Sequence, residues 1–189
     1  MNLNAFSRLG RATHFFLAVL IAGLATSFAA VAADRTALDR DARRAYQKLT
    51  ASVPAARSLG RDAVAVIVFP TITKAGLVVG GQYGEGVLFR GDAVVGYYNT
   101  AGASFGLQAG AQQYGYAMFF MNQKSLAALT DNDGFEVGVG PSVVMVDQGM
   151  GKSLTTMNAK EDVYAFVFGQ KGLMAGVGLQ GNKITRLSD

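Results

Sequence analysis

From Val64 onward the chain alternates apolar and small or polar residues in short runs rich in Val, Phe, Tyr and Gly, the texture of strands. The runs are 64–69, 75–83, 86–90, 93–99, 103–113, 115–121, 135–146, 163–169 and 172–180, with turn signals at Gly91-Asp92, Asn132-Asp133-Gly134 and Gln170-Lys171-Gly172. Residues 34–50 read differently. Leu38, Ala42, Ala45, Tyr46 and Leu49 recur at helical spacing as one apolar stripe, while Arg40, Arg44 and Lys48 form a second line with Arg43 beside it. Pro54 ends that helix, and Ala55 to Leu59 adds a short turn. Asn122 to Leu129 is the one helix expected among the strands, capped by Asn122.

Four stretches share the form G-Φ-x-x-G-x-[Q/G], beginning at Gly76, Gly106, Gly134 and Gly172. The first two end in Gln82 and Gln112 and continue alike into Tyr83-Gly84 and Tyr114-Gly115. Even offsets share a strand face, so the glycines line one side. Leu77, Val79, Leu107, Ala109, Phe135, Val137, Leu173 and Val177 are expected on the other, as core. Glycine weakens a strand unless the space is needed, which points to strong curvature, a helix lying on the glycine face, or a ligand groove. The expected fold is α+β: a strongly curved antiparallel sheet of roughly seven to ten strands tending to a barrel, with an N-terminal amphipathic helix and one short internal helix.

The first residues belong to a different kind of segment. Arg8, Arg11 and His14 precede an uncharged run from Phe15 to Val31, and Ala30-Val31-Ala32 supplies small residues before Asp34. This reads as a signal peptide over 1–32, leaving a domain over 33–189. Without Arg8 and Arg11 the remainder carries 15 basic and 13 acidic residues, so any anion binding must come from clustering. There is no cysteine or tryptophan, and the sole histidine is His14. A 33–189 domain therefore has no His or Cys for a nucleophile–base pair or for an imidazole or thiolate metal site. No catalysis, cofactor, metal or nucleic-acid partner is expected.

Several motifs suggest chemistry and fail on context. Gly176, Gly178 and Gly181 spell G-x-G-x-x-G, yet only eight residues follow, too few for the helix a dinucleotide site requires. Gly149, Gly151, Lys152 and Ser153 end like a phosphate loop, but Val146 stands where its first glycine belongs, leaving Lys152 a minor anion contact. Asp131-Asn132-Asp133-Gly134 resembles a calcium loop, but aligned on Gly134 its first and last ligand positions fall on Leu129 and Gly140; an Asx-type turn explains it. No pattern pairs Ser104 with a base.

The stretch FPTITKAGLVVGGQYGEGVLFR, from Phe69 to Arg90, resembles the SYLF domain. The resemblance runs through Phe69-Pro70, Lys74-Ala75-Gly76, Gly80-Gly81, Tyr83-Gly84-Glu85-Gly86-Val87, Ala103-Ser104, Gly106-Leu107-Gln108, Gly110, Phe119-Phe120-Met121 and Gly172-Leu173 onward to Gly181. It implies a lipid-binding module; eukaryotic members bind acidic phospholipids, and some bind actin. A secreted bacterial member would meet neither actin nor phosphoinositides, so the expected role is non-enzymatic, peripheral binding of an anionic phospholipid membrane surface, in the periplasm or on the inner face of the outer membrane. Charge clustering selects Arg40, Arg43, Arg44, Lys48, Arg57, Arg61 and Lys74 as the lipid-binding residues, seven cations within 35 residues. The bland reading of the helical cations is the solvated face of a docked helix. Two other roles compete: a structural envelope protein that self-associates or binds a protein partner through exposed Tyr97, Tyr98 and Tyr116, or a carrier holding an acyl chain along the glycine faces.

Overall fold

The computed structural model of the chain describes residues 34–76, 79–105, 110–146, 160–172 and 181–188. The chain divides into two units, Met1–Ala37, of which only helical residues 34–37 are described, and Leu38–Asp189. The expected signal peptide, the Lys152 stretch and most of the last glycine repeat lie outside the described residues.

The helical stripe is seated as its spacing predicts. In α1, residues 34–52, Ala42 and Leu49 are buried and Leu38, Ala45 and Tyr46 pack around them. Pro54 then begins a second helix, α2 (Pro54–Asp62). Its fixed φ suits a first helical position, and Ala55, Ala56 and Leu59 bury the inner side.

Eight strands follow among the described residues: β1 (Ala65–Gly76), β2 (Val79–Arg90), β3 (Ala93–Phe105), β4 (Gly110–Phe120), β5 (Gly134–Glu136), β6 (Val143–Val146), β7 (Val163–Gly172) and β8 (Lys183–Arg186). Helix α3 (Gln123–Thr130) lies between β4 and β5, and the Asn122 side chain accepts a 2.8 Å hydrogen bond from Ser125 N as its cap. The strands form one curled, half-barrel sheet in the order β5-β8-β3-β2-β1-β4-β7-β6. All pairs are antiparallel except β6 with β7, so the sheet is mixed at that edge.

β1 sits centrally between β2 and β4 and is apolar on both faces. Val66 and Val68 join Ala42, Leu49 and Leu59 in a core beneath α1 and α2. Ala65, Ile67, Phe69 and Ile72 join Leu126 and Leu129 of α3 in a core on the other side. Phe69 and Ile72 are three apart yet share a face because the register shifts between Val68 and Thr71, around Pro70. Proline cannot donate to the ladder, so an irregularity belongs there.

The β2 glycines make room for these β1 side chains. A Cβ on Gly86 would lie 2.5 Å from Phe69 Cδ1, and one on Gly84 would lie 2.7 Å from Ile72 Cγ1. Phe69 is held from its other side by Tyr116, their rings stacked at 5.0 Å. At these positions the space is filled by the sheet's own side chains, which leaves no acyl-chain groove there.

Some sequence boundaries differ. The 75–83 run contains the β1–β2 reversal, and 86–90 continues the same strand through Gly84-Glu85-Gly86. The 135–146 run divides into β5 and β6, whereas Gln170-Lys171-Gly172, expected as a turn, ends β7. Of the residues expected as core opposite the glycines, Val137 is buried but Val79 is 62 % exposed. Leu77, Leu107, Ala109, Leu173 and Val177 lie outside the described residues. Val79 shares the α1/α2 face with Val87 and Phe89 but stands at the opposite end of β2 from them.

The packing predicts unequal glycines. Gly86→Ala should destabilise by about 1–3 kcal/mol, because the Phe69 ring is pinned. Gly81→Ala, whose Cβ would approach nothing nearer than Gly102 O at 3.9 Å, should stay within about 0.5 kcal/mol. Urea denaturation of the two variants checks the contrast.

Candidate functional site

The seven selected cations do not form one patch. Arg40, Arg44 and Lys48 lie exposed along α1. Arg40 Nε is 3.9 Å and Arg44 Nη2 is 4.0 Å from Asp41 Oδ1, weak surface contacts that leave both guanidinium groups available. Arg43 is also exposed, but its Nη2 donates to the Asp92 carbonyl at 2.8 Å and its guanidinium lies 4.9 Å from the Phe89 ring centroid. It fastens α1 to the β2–β3 turn. Arg57 donates through Nε to Thr50 O and through Nη2 to Ala51 O, each at 2.8 Å, satisfying carbonyls at the end of α1.

Arg61 ends α2 and opens onto a cleft of about 390 Å³ between α1, α2 and the β2–β3 turn. Arg43, Tyr46, Gln47 and Asp92 line its polar side, and Phe89 and Val66 its apolar side. Burial raises the pKa of the Tyr46 phenol, so it remains a neutral donor at ordinary pH. The cleft therefore offers two guanidinium groups, a phenol and an amide, with one carboxylate at Asp92.

Lys74 belongs elsewhere. It is only 6 % exposed and lies on the α3 face of the sheet. The Pro70 irregularity explains this: it shifts the alternation by one, so 72 and 74 turn toward the face that holds Phe69. An uninterrupted period of two would have sent Lys74 to the helix side with the other cations.

Around Lys74 lies a buried polar row that the charge pattern did not identify. Gln112 and Gln82 stand directly opposite Lys74 on β4 and β2. Tyr114 Oη donates to Gln82 Oε1 at 2.7 Å, and Gln82 Nε2 donates to Asn182 Oδ1. Asn182 occupies the space over Gly102, where a Cβ would collide with it. Thr100 completes the group, and Thr100 Oγ1, Gln112 Oε1 and Asn182 Nδ2 are buried without a hydrogen-bond partner. A signal for part of this row was present: Gln82 and Gln112 hold the same last position of the repeated glycine motif.

The proposed tyrosine surface does not exist. Tyr98 and Tyr116 are fully buried, and half-buried Tyr97 donates to Asp39 Oδ2 at 3.2 Å. Their alternation along β3 and β4 turns Tyr98 and Tyr116 into the α3-side core. Among the described residues, no group of three His, Cys, Asp or Glu side chains is arranged to hold a metal, and no helix is long and apolar enough to cross a membrane.

Two predictions follow from these placements. Arg43→Ala should cost about 0.5–1.5 kcal/mol through its lost carbonyl and ring contacts, while Arg44→Ala stays within about 0.5 kcal/mol, both read by denaturant titration. Burial also raises the phenols of Tyr98, Tyr114 and Tyr116 above their ordinary 10.0, Tyr114 to about 12. A raised folded-state pKa favours the protonated native form, so this stability is complete below pH 10.0 and fades as pH climbs through about 12. Tyrosinate absorbance from the buried phenols should appear together with loss of near-ultraviolet circular dichroism in an alkaline titration.

Comparison with known families bears on the whole arrangement. Residues 101–189 match the family model of Ysc84, the Las17-binding protein actin regulator. No curated protein matches the chain. The matched segment carries the end of β3, β4, α3 and β5 to β8, while the Phe69–Arg90 resemblance supplies β2 and most of β1 ahead of it. That match, over residues 101–189, is consistent with a member of the SYLF-domain family.

Proposed function

We propose that the protein binds anionic phospholipid at a membrane surface of the bacterial envelope, after export, and does so without catalysis. The family-model match over residues 101–189 is consistent with binding lipid or protein partners such as actin regulators. The observation favouring lipid is the pairing of exposed α1 cations, Arg40, Arg44 and Lys48, with a neighbouring cleft into which Arg43 and Arg61 face.

The mode of binding follows from how α1 is docked. Ala42 and Leu49 are buried in the sheet's core, so the apolar stripe is committed to the fold. Attraction then comes from cations at the surface, each contributing about 1 kcal/mol near an anionic bilayer. The cleft, with donors above an apolar wall, suits a phosphate-bearing headgroup. Such binding weakens as salt shortens the Debye length.

Flotation with vesicles tests the reading. The protein should float with phosphatidylglycerol-containing vesicles and not with phosphatidylcholine vesicles, and should be released as salt rises from about 0.05 to 0.5 M. The triple variant Arg40→Glu, Arg44→Glu, Lys48→Glu should bind at least about tenfold more weakly. Absence of binding to both vesicle types would overturn the lipid reading in favour of a protein partner.

A further inference from the structure

The cleft between α1, α2 and the β2–β3 turn carries charges of both signs that do not neutralise one another. Arg61 and Asp92 both line it, and both residues are exposed. Among the described residues, neither the Arg61 guanidinium nor the Asp92 carboxylate has a hydrogen-bond or ion-pair partner.

The separation is built by α1. Arg43, Tyr46 and Gln47 stand at i, i+3 and i+4 on one side of the helix, where Cβ atoms lie roughly 5–6 Å apart. At one end the Tyr46 phenol oxygen rests on Gly60, where a Cβ would collide with it, and so lies next to Arg61. Burial keeps this phenol protonated, a neutral donor beside a guanidinium. At the other end Arg43 Nη2 donates to the Asp92 carbonyl at 2.8 Å while its guanidinium lies against the Phe89 ring. That contact uses the backbone of Asp92 and leaves its carboxylate unengaged. The cleft therefore has an anion-accepting pole, Arg61 with Tyr46 Oη, and a cation-accepting pole at Asp92, set apart by about one helical turn.

We propose that the cleft binds a zwitterionic aminophosphate, a phosphate joined by a short spacer to a primary amine, as in phosphoethanolamine. The inference rests on the headgroup reading of this cleft and adds what the headgroup carries. Phosphate oxygens accept from the Arg61 guanidinium and from Tyr46 Oη, with the Gln47 amide as a further donor. The ammonium donates to the Asp92 carboxylate, which a phosphate alone would meet as a repelling charge. A quaternary amine has no N–H to donate there, and glycerol 3-phosphate has no cation. The exposed α1 cations respond to the charge of the membrane, whereas the cleft selects the chemical group.

Calorimetric and NMR titrations with soluble phosphoethanolamine, phosphocholine and glycerol 3-phosphate test this on native protein, Asp92→Asn and Arg61→Gln. Both substitutions fall at exposed positions, and Asp92→Asn keeps the backbone carbonyl that holds Arg43. Phosphoethanolamine should bind native protein about threefold to fivefold more tightly than the other two, the range of an exposed ion pair. Its titration should move the amide signals of Gly60, Arg61 and Asp92. Asp92→Asn should erase the preference while binding glycerol 3-phosphate as well or better, and Arg61→Gln should weaken all three about tenfold.

An aminophosphate can arrive free or as the head of a lipid, and flotation separates the two. Vesicles of equal phosphatidylglycerol content are completed with either phosphatidylcholine or phosphatidylethanolamine. A lipid source predicts that phosphatidylethanolamine holds native protein, but not Asp92→Asn, to higher salt. The soluble preference without that effect assigns a free aminophosphate. A preference that survives Asp92→Asn would overturn the proposal, as would equal affinities with no Asp92-dependent effect of phosphatidylethanolamine. Either of those results leaves the membrane reading intact if the protein still floats with phosphatidylglycerol. Loss of flotation with retained, Asp92-dependent binding of soluble phosphoethanolamine would overturn the membrane reading and keep this site.

Discussion

The sheet is organised by a side chain lying across a neighbouring strand that has none. Phe69 rests on Gly86, with Tyr116 stacked against its other face, and Ile72 lies on Gly84 in the same way. Aromatic and branched side chains from β1 thus fill the space that β2 vacates, and β1 can be apolar on both sides while the sheet curls. The irregularity at Pro70 makes this possible, because it brings Phe69 and Ile72 to one face. It also determines where every residue after it points.

That shift separates two chemistries that the sequence places side by side. Arg57 and Arg61 remain with α2, on the side of α1 and the cleft, whereas Lys74 is carried to the other face among amides and hydroxyls. Even on the helical side the cations divide by role. Arg43 and Arg57 bind carbonyls and hold elements together, Arg61 faces the cleft, and Arg40, Arg44 and Lys48 lie exposed along α1. A count of charges therefore overstates the number available to a membrane, and the docked state of α1 limits contact to its polar side.

Much of the architecture was legible from local pattern. The stripe from Leu38 to Leu49 and the Asn122 cap are preserved in the structure, and Gly84 and Gly86 do share one face of β2, whereas Gly76 and Gly80 of the first repeat fall on β1 and β2. What local pattern could not show was long-range or register-dependent. The reversal near Gly76 resembles continuous strand because its flanks are Val and Gly, and the parallel pairing of β6 with β7 depends on a connection rather than on composition. Tyr98 and Tyr116 looked like surface residues until their strands' neighbours were known. Gln82 and Gln112, thirty residues apart in equivalent repeats, meet on either side of Lys74 only once β2, β1 and β4 are adjacent.

The outermost strands have their own implication. β5 contributes three residues and β6 four, whereas β1 to β4 each contribute eleven or more. An open sheet is a template for another chain's backbone in proportion to the length of its free margin. Among the described residues β1, β2 and β4 have strand neighbours on both sides, whereas β3 is paired on its outer side only over Tyr98–Ala101 and β7 only over Val163–Phe166. The order of strands thus withdraws β1, β2 and β4 from intermolecular β-pairing, in a fold rich in the residues that favour it.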